Sequence, residues 1–144
     1  ILEAQAPSVL GLLRGIGEEQ SLHRYAAGKW SLRDLLNHLN DTERLFVSRA
    51  MWFARGFESP LPSFDQDVAV TGAAADRRSW SGLVEEFGAV RASTVGFFRG
   101  LPSEAWGRRG IASGNPFTVR ALAFIAAGHV AHHVKVVRER YLPA

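Results

Sequence analysis

The sequence predicts an all-α protein, a four-helix bundle with an up-down-down-up order of helices. Apolar residues recur with helical spacing in four segments, and no segment alternates cleanly with the period of two that a strand shows. The chain has 144 residues, 47% of them apolar, which suits one domain with one core over residues 1–144. A long connection joins the second and third segments, and such crossovers let consecutive helices run parallel.

The first predicted helix spans about Leu2 to Ile16. Pro7 lies inside this segment, where proline is tolerated only in the first turn or at a kink. We predict a helix despite this proline, because the apolar side chains keep the helical period. These side chains are Leu2, Ala6, Val9, Leu10, Leu12 and Leu13.

The second predicted helix has the clearest start signal in the chain. Ser31 is a good N-cap, and Asp34 stands at the third helical position, as in a capping box. Apolar residues with helical spacing then continue to about Arg55. Gly56 follows and is expected to end the helix.

The third predicted helix runs from about Trp80 to Arg99, with Gly100 and Pro102 as stop signals. Its inward side chains again follow the helical period. They are Leu83, Val84, Phe87, Val90, Thr94, Val95 and Phe98.

The fourth predicted helix starts near Asn115-Pro116 or at Thr118, and the sequence leaves both starts open. It continues to Tyr141, with Pro143 beyond it as a residue that cannot continue a helix.

The connection from Gly56 to Arg78 contains prolines, glycines and several polar residues, and we predict no helix within it. An extended chain at about 3.3 Å per residue easily spans the length of the second helix. This reach is what permits the second and third helices to run parallel. Loops of this length within a compact domain often carry function.

A histidine pair in the fourth helix is the main functional signal. His129 and His133 are four residues apart, so their side chains stand on one face of the helix, in an otherwise apolar stripe. His38 lies in a separate apolar run of the second helix. If His38 faces the pair, three imidazoles converge and leave a coordination position open, which is typical of catalytic rather than structural metal sites. Their nitrogens should then lie within about 4–5 Å of one another.

The spacing alone leaves alternatives open. Buried histidine pairs that simply hydrogen-bond to their neighbours also exist. His132 lies at the margin of the same stripe and is expected to point away from the centre. Its side chain either contacts one of the metal-binding histidines or is exposed to solvent. His23, in a polar stretch, is interpreted as an ordinary surface residue.

The chain has no cysteine, which excludes disulfides, a cysteine nucleophile, thiolate zinc sites and iron–sulfur ligation. Any metal must therefore be held by nitrogen and oxygen ligands. A thiolate that takes part in chemistry must arrive on a substrate.

Charge and hydropathy favour neither nucleic acid nor membrane as a partner. The net charge is +3 and the pI about 9.9, but the basic residues are scattered instead of clustered on one face. No apolar run approaches the ~20 residues that span a bilayer, and no charged-then-apolar leader opens the chain. We expect a cytoplasmic protein and rank nucleic-acid binding last.

Two stretches resemble conserved parts of a known family. Residues Gly28–Leu39 resemble the opening of the second helix in the DinB/YfiT-like family of small bacterial four-helix proteins, and Gly128–Tyr141 resemble its terminal helix. Shorter pieces match between them, at Leu61–Asp67, Glu86–Arg91 and Leu101–Trp106. The resemblance covers nearly the whole chain.

The resemblance implies an up-down-down-up bundle, often a homodimer, that holds a divalent metal such as nickel, zinc or iron with three histidines. By position these are His38, His129 and His133. Characterised members include transferases that use a low-molecular-weight thiol and a thiol-dependent isomerase. The resemblance thus implies a metal-dependent enzyme acting on a small molecule, of a thiol-linked transferase or hydrolase type.

The sequence contains no unambiguous general base for such an enzyme. Candidate helpers are Asp41, three residues after His38, and Asp65, Gln66 and Asp67 in the crossover. Asp41 either supports a ligand or is solvated, and the solvated interpretation is slightly favoured. The three crossover residues either form a turn, the favoured interpretation, or close over the site. The open coordination positions are expected to face a pocket bordered by the crossover near Phe64 to Asp67. The alternative function is a catalytically inert helical bundle that serves as an interaction or dimerisation module.

Overall fold

The computed structural model describes residues 1–142. These residues form five α-helices, three short 3-10 turns and one two-stranded sheet, and the last helix ends in a π-helical turn. The helices are α1 (Leu2–Arg14), α2 (Leu32–Ala54), α3 (Gln66–Ala73), α4 (Trp80–Arg99) and α5 (Val119–Val136). The strands are β1 (Arg109–Ala112) and β2 (Asn115–Thr118), and the π-helical turn spans Val137–Tyr141.

Helix α2 is the central element, and it packs against both α4 and α5. Its start is the capping box that the sequence predicts. The Ser31 hydroxyl accepts from the Asp34 backbone N–H, and the Asp34 carboxylate accepts from the Ser31 N–H. These bonds satisfy two of the N–H groups that every helix start leaves without partners. After the C-cap residue Arg55, the predicted stop, Gly56, takes the left-handed conformation, with φ +87°.

Polar contacts join α2 to α4 in the interior. The Asn40 side chain donates to the carbonyl of Leu83. Further along both helices, Arg91 donates two hydrogen bonds to the carboxylate of Glu43, at 2.7 and 2.8 Å. Both of these charged side chains are about 2% exposed, so this ion pair is among the most buried polar features of the protein.

Helix α1 packs against α4 at both of its ends. Near the end of α1, the Trp80 indole N–H donates to the carbonyl of Leu13 at 2.9 Å. Near its start, Arg91 donates to the carbonyl of Leu2 and to the side-chain oxygen of Gln5. Pro7 lies within α1, which remains one helix from Leu2 to Arg14.

The apolar core consists of two clusters, which are separated along α2. The first surrounds the start of α2 and includes Leu32, Leu36 and Leu39, and the second surrounds its end and includes Ala50 and Phe53. The intervening part of α2 carries several buried polar side chains. These include Asn40, Thr42, Glu43 and Arg49.

Three features differ from the sequence predictions. The crossover contains α3, which the Asp65 side chain caps by accepting from the N–H groups of Asp67 and Val68. No residue of α3 is buried, so the sequence has no apolar stripe there to reveal a helix. Residues 109–118 form a hairpin, so the class is mostly helical rather than all-α. Of the two starts for the last predicted helix, Asn115-Pro116 is wrong because these residues lie in β2.

The Thr118 alternative agrees with the structure, since its hydroxyl caps α5 by accepting from the N–H of Ala121. The hairpin turn places Ser113 and Gly114 at φ +52° and +74°, the conformation that tight two-residue hairpins require. The predicted stop residue Pro143 lies outside the described residues. Within residues 1–142, no helix has the length and apolar composition needed to cross a bilayer.

Candidate metal centre

Three imidazole rings converge between α2 and α5. His38, His129 and His133 each offer one ring nitrogen, and these nitrogens all lie within 4.8 Å of one another. The closest pair is Nε2 of His38 and Nε2 of His129, at 3.3 Å. His38 is buried, and the other two are half-buried. The convergence predicted from the sequence is therefore present.

The helices place these rings in a simple way. His129 and His133 are one turn apart on α5, with ring centroids 4.6 Å apart. His38 approaches from α2, and its ring centroid lies 5.0 Å from that of His129 and 5.2 Å from that of His133. The His38 ring of α2 therefore lies beside both histidine rings of α5.

Thr42 fixes the orientation of the His129 ring. Its hydroxyl lies 3.3 Å from Nδ1 of His129 and only 2.7 Å from the carbonyl oxygen of His38. A hydroxyl has one hydrogen, and the short contact directs it to the carbonyl. The oxygen is then left to accept from Nδ1–H of His129. We therefore assign the Nδ1–H tautomer, in which the Nε2 lone pair points towards His38.

The donor set fits a divalent cation. Nδ1 of His38 and Nδ1 of His133 are buried and have no hydrogen-bond partner among the described residues. An ion bound to Nε2 of His38 does not satisfy Nδ1 of the same ring, so the fit rests on the spacing of the converging nitrogens. Two nitrogens bound to one ion at about 2.1 Å with a tetrahedral angle lie about 3.4 Å apart. The 3.3 Å between the Nε2 atoms of His38 and His129 matches that spacing.

Burial keeps the three imidazoles neutral. It lowers the pKa of His38 to about 4 and that of His133 to about 3, with a further contribution from the neighbouring histidines. Burial also lowers the pKa of His129, followed by the charge of His132, while the nearby Glu43 carboxylate acts in the opposite direction. Neutral rings keep lone pairs available, which is the form that binds metal.

Aromatic rings pack against two of the three histidines. The Trp30 ring lies 4.8 Å from that of His38, and the Phe46 ring lies 5.6 Å from that of His129 in an edge-to-face arrangement. An apolar surrounding of this kind strengthens electrostatic interactions at the centre.

The other two histidines lie apart from the centre. His132 is exposed, and although its ring is 5.1 Å from that of His133, it is not one of the converging three. This agrees with the expectation that it points away. His23 is also exposed, and its ring lies edge-on to Tyr141 at 6.3 Å.

Asp41 does not reach the three histidines through its hydrogen bonds or ion pairs in the described part of the chain. It accepts from the side-chain amide of Asn37 at 3.2 Å and lies 3.9 Å from Arg44. It is half-buried, and this burial raises the pKa of its carboxyl group. Asp41 is therefore partly buried, and its hydrogen bond and ion pair join it to Asn37 and Arg44 rather than to a histidine.

The crossover residues do not border the centre. Asp65 caps α3, and Gln66 is exposed in the first turn of that helix. Asp67 lines a neighbouring cavity of about 500 Å³ that none of the three histidines lines. The predicted entrance between Phe64 and Asp67 is therefore wrong, because α3 turns these side chains towards solvent and towards that other cavity.

The cavity that reaches the centre has a different border. It measures about 270 Å³ and is lined by His133. Its walls come from the loop before α2, from α2 and α5, and from the π-helical turn that follows α5. The lining residues are Tyr25, Gly28, Lys29, Trp30, Leu35, His133, Val136 and Tyr141.

Sequence reasoning did not assign a role to Thr42 or to the aromatic wall. Thr42 is four residues after His38 and therefore stands on the same face of α2, which is a usable signal. The contact between Tyr141 and Trp30 joins residues 111 positions apart, and no local pattern reveals it.

Known proteins give two comparisons that bear on this site. No curated protein sequence matches the chain. A solved structure, that of YfiT from Bacillus subtilis, is similar with a TM-score of 0.73 and 16% identity, over 95% of this chain and 82% of that chain. YfiT is described as "a probable metal-dependent hydrolase with an unusual four-helix bundle topology". This similarity shows a shared fold. The profile of the DinB superfamily matches residues 1–137, and the chain therefore belongs to the DinB superfamily.

Proposed function

We propose that this protein binds one divalent metal ion through His38, His129 and His133 and is a metal-dependent enzyme acting on a small molecule. The observation that carries the proposal is the pair of Nε2 atoms 3.3 Å apart, with a third imidazole nitrogen within 4.8 Å. A divalent ion with three nitrogen ligands and an open position polarises a carbonyl oxygen or lowers the pKa of a water or thiol.

The reaction class that we infer is hydrolysis or a thiol-linked transfer. The description of YfiT as a probable metal-dependent hydrolase supports the first of these. The second requires an external low-molecular-weight thiol, because the chain has no cysteine. No carboxylate lines the His133 cavity within residues 1–142. The protein's own contribution is therefore to hold the ion, shape the cavity and exclude water from the buried His38 side.

Nickel, zinc and iron are the ions that we propose. Three imidazole nitrogens suit these borderline metals, whereas calcium and magnesium prefer oxygen ligands. The choice among the three depends on coordination geometry and on availability in the cell.

We also infer the up-down-down-up order of the four long helices. Along α2 and α4, the contacts advance in the same direction, from Asn40–Leu83 to Glu43–Arg91. Along α1 and α4 the contacts run in opposite directions, as the positions of Trp80 and Arg91 against α1 indicate. Along α2 and α5 they also run in opposite directions. The His38 ring lies near that of His133, whereas Phe46, later in α2, lies near His129, earlier in α5. These relations support α2 parallel to α4, with α1 and α5 antiparallel to both.

A homodimer and a cytoplasmic location stay predictions, as does the single domain. Phe124 on α5 is 58% exposed beside an apolar cavity of about 360 Å³ that Val95 and Trp106 also line. An exposed apolar patch of this kind often marks a contact between proteins. Sedimentation analysis of the wild type and of Phe124→Glu tests the dimer, because a dimer built on this patch dissociates in the variant.

The metal proposal is tested with protein purified without a histidine tag. Elemental analysis and thermal unfolding are measured for the wild type, for His129→Ala and for the exposed control His132→Ala. We expect bound metal and a rise in melting temperature on adding nickel or zinc in the wild type and the control, and neither in His129→Ala. Wild-type protein that holds no metal and shows no shift would contradict the proposal and favour the inert module.

A further inference from the structure

The cavity beside His133 has a wall of three aromatic rings. Tyr25, Trp30 and Tyr141 all line it, and its volume of about 270 Å³ is slightly below the range of about 300–1,000 Å³ typical of drug-sized ligands. A molecule that fits inside is therefore small, and flat apolar groups match the surface that the rings present.

Contacts within this wall hold the rings in place. The Tyr141 hydroxyl donates to the carbonyl oxygen of Trp30 at 2.7 Å. The rings of Tyr25 and Tyr141 meet edge to face, with centroids 5.1 Å apart. Trp30 also packs against His38, so the wall of the cavity and the histidine centre share a side chain. A surface fixed in this way loses little conformational freedom when a ligand binds.

Lys29 gives the cavity its charge. Among the described residues that line the cavity, Lys29 is the one with a side chain of the Lys, Arg, Asp and Glu class, and it is exposed to solvent. Lys29 also lines the neighbouring cavity of about 500 Å³, together with Asp34, Asp67 and Asp76. Arg24 pairs with two of these carboxylates, Asp34 and Asp76.

Among the residues that the structure describes, no carboxylate lies within 4.0 Å of the Lys29 ammonium group. The cavity therefore combines an aromatic wall, the Lys29 ammonium group and the half-buried imidazole of His133. These features are complementary to a ligand with a flat apolar body and a negative charge.

We propose that the substrate is a small aromatic carboxylate whose ring packs against Tyr25, Trp30 and Tyr141 and whose carboxylate pairs with Lys29. This inference rests on the proposed function, since His133 lines the same cavity and belongs to the proposed metal centre. The remaining substituents of the substrate then face His133.

The test compares two isosteric probes, phenylacetate and phenylacetamide, by calorimetric titration. The proteins are the wild type, Lys29→Gln and Lys135→Gln. Lys135 is a matched control because it is the chain's other lysine and lies on α5 outside the cavity lining. Each protein is titrated as the zinc-loaded form and after removal of metal with a chelator, because an open position on the ion also attracts carboxylates.

We expect the wild type and Lys135→Gln to bind phenylacetate about fivefold more tightly than the amide, the effect of one partly exposed ion pair. The metal-free form of Lys29→Gln should lose that preference. The zinc-loaded form of the same variant should hold as much zinc as the wild type. Equal binding of the two probes to metal-free wild type, or a preference that Lys29→Gln preserves, would overturn the inference. Absence of metal from the wild type is a separate result, which overturns the proposed function and leaves the metal-free comparison valid.

Discussion

The Thr42 hydroxyl on α2 contacts the His129 ring on α5. This hydroxyl has a single hydrogen and can donate only one hydrogen bond. The hydroxyl oxygen lies 2.7 Å from the His38 carbonyl and 3.3 Å from Nδ1 of His129. Because the hydrogen goes to the carbonyl, His129 must carry its own hydrogen on Nδ1. The residue thus connects the backbone of one proposed ligand to the ring of another.

Replacing Thr42 with valine should weaken metal binding about 10- to 100-fold, the usual effect of removing a group that orients a metal-binding histidine. Valine keeps the shape of threonine but cannot accept from Nδ1–H. Competition with a chelator of known affinity measures the loss. Nitrogen NMR of the metal-free protein should show a mixture of His129 tautomers in the variant and one tautomer in the wild type.

Thr42→Ser is the matched control, because it keeps the hydroxyl and removes only a methyl group. Its metal affinity and its His129 tautomer should stay close to those of the wild type. A serine variant as weak as the valine variant would assign the loss to packing and contradict the orienting role.

Metal-free protein should lose stability as the pH falls from 7 to 5. The pKa of His38 is lowered from 6.5 to about 4 by burial, so in this interval the unfolded chain binds a proton that the folded chain does not. Protons therefore favour unfolding. This residue alone should lower the free energy of unfolding by about 1–2 kcal/mol between these pH values.

Urea unfolding at several pH values checks this prediction. His38→Leu removes one of the titrating rings and should reduce the dependence of stability on pH without abolishing it, because burial also lowers the pKa values of His129 and His133. The exposed His132→Gln should follow the wild type. If His38→Leu retained the wild-type slope, another group would be responsible for the acid sensitivity.

The sequence predicted the elements whose apolar stripes and caps are local. The capping box at Ser31 and Asp34 and the helix from Trp80 to Arg99 are confirmed. The histidine cluster followed from helical spacing and from the resemblance to a family. Helix α3 escaped prediction because none of its residues is buried.

The entrance to the site escaped prediction for a different reason. It depends on the packing of Tyr141 against the loop before α2, a contact across 111 positions. Hydrophobic periodicity reports which face of an element is buried, but it does not report which distant element covers that face. The side from which the cavity reaches the histidines can therefore be identified only from the tertiary structure.

Gly110 in β1 should not tolerate a side chain. A Cβ atom there would lie 2.2 Å from the ring of Phe53, and that ring is buried in the second apolar cluster. Gly110→Ala should therefore destabilise the protein by about 1–3 kcal/mol through overpacking. Thermal and urea unfolding measure the change.

Gly128, beside His129 on α5, is the matched glycine. A Cβ atom there meets nothing within 4 Å, and alanine is favoured over glycine in a helix by up to about 1 kcal/mol. Gly128→Ala should therefore raise stability. Equal destabilisation by both substitutions would contradict the assignment of the Gly110 effect to Phe53.

The buried ion pair between Arg91 and Glu43 gives the sharpest stability test. Both side chains are about 2% exposed, so Arg91→Met leaves a carboxylate uncompensated in the interior. We expect a loss of about 3–5 kcal/mol. Glu43→Leu should be similarly costly, because it leaves the guanidinium without its bidentate partner.

The double variant Arg91→Met/Glu43→Leu should be more stable than either single variant, because it removes both buried charges together. Urea unfolding of the four proteins gives the coupling energy, and strictly additive losses would contradict the prediction.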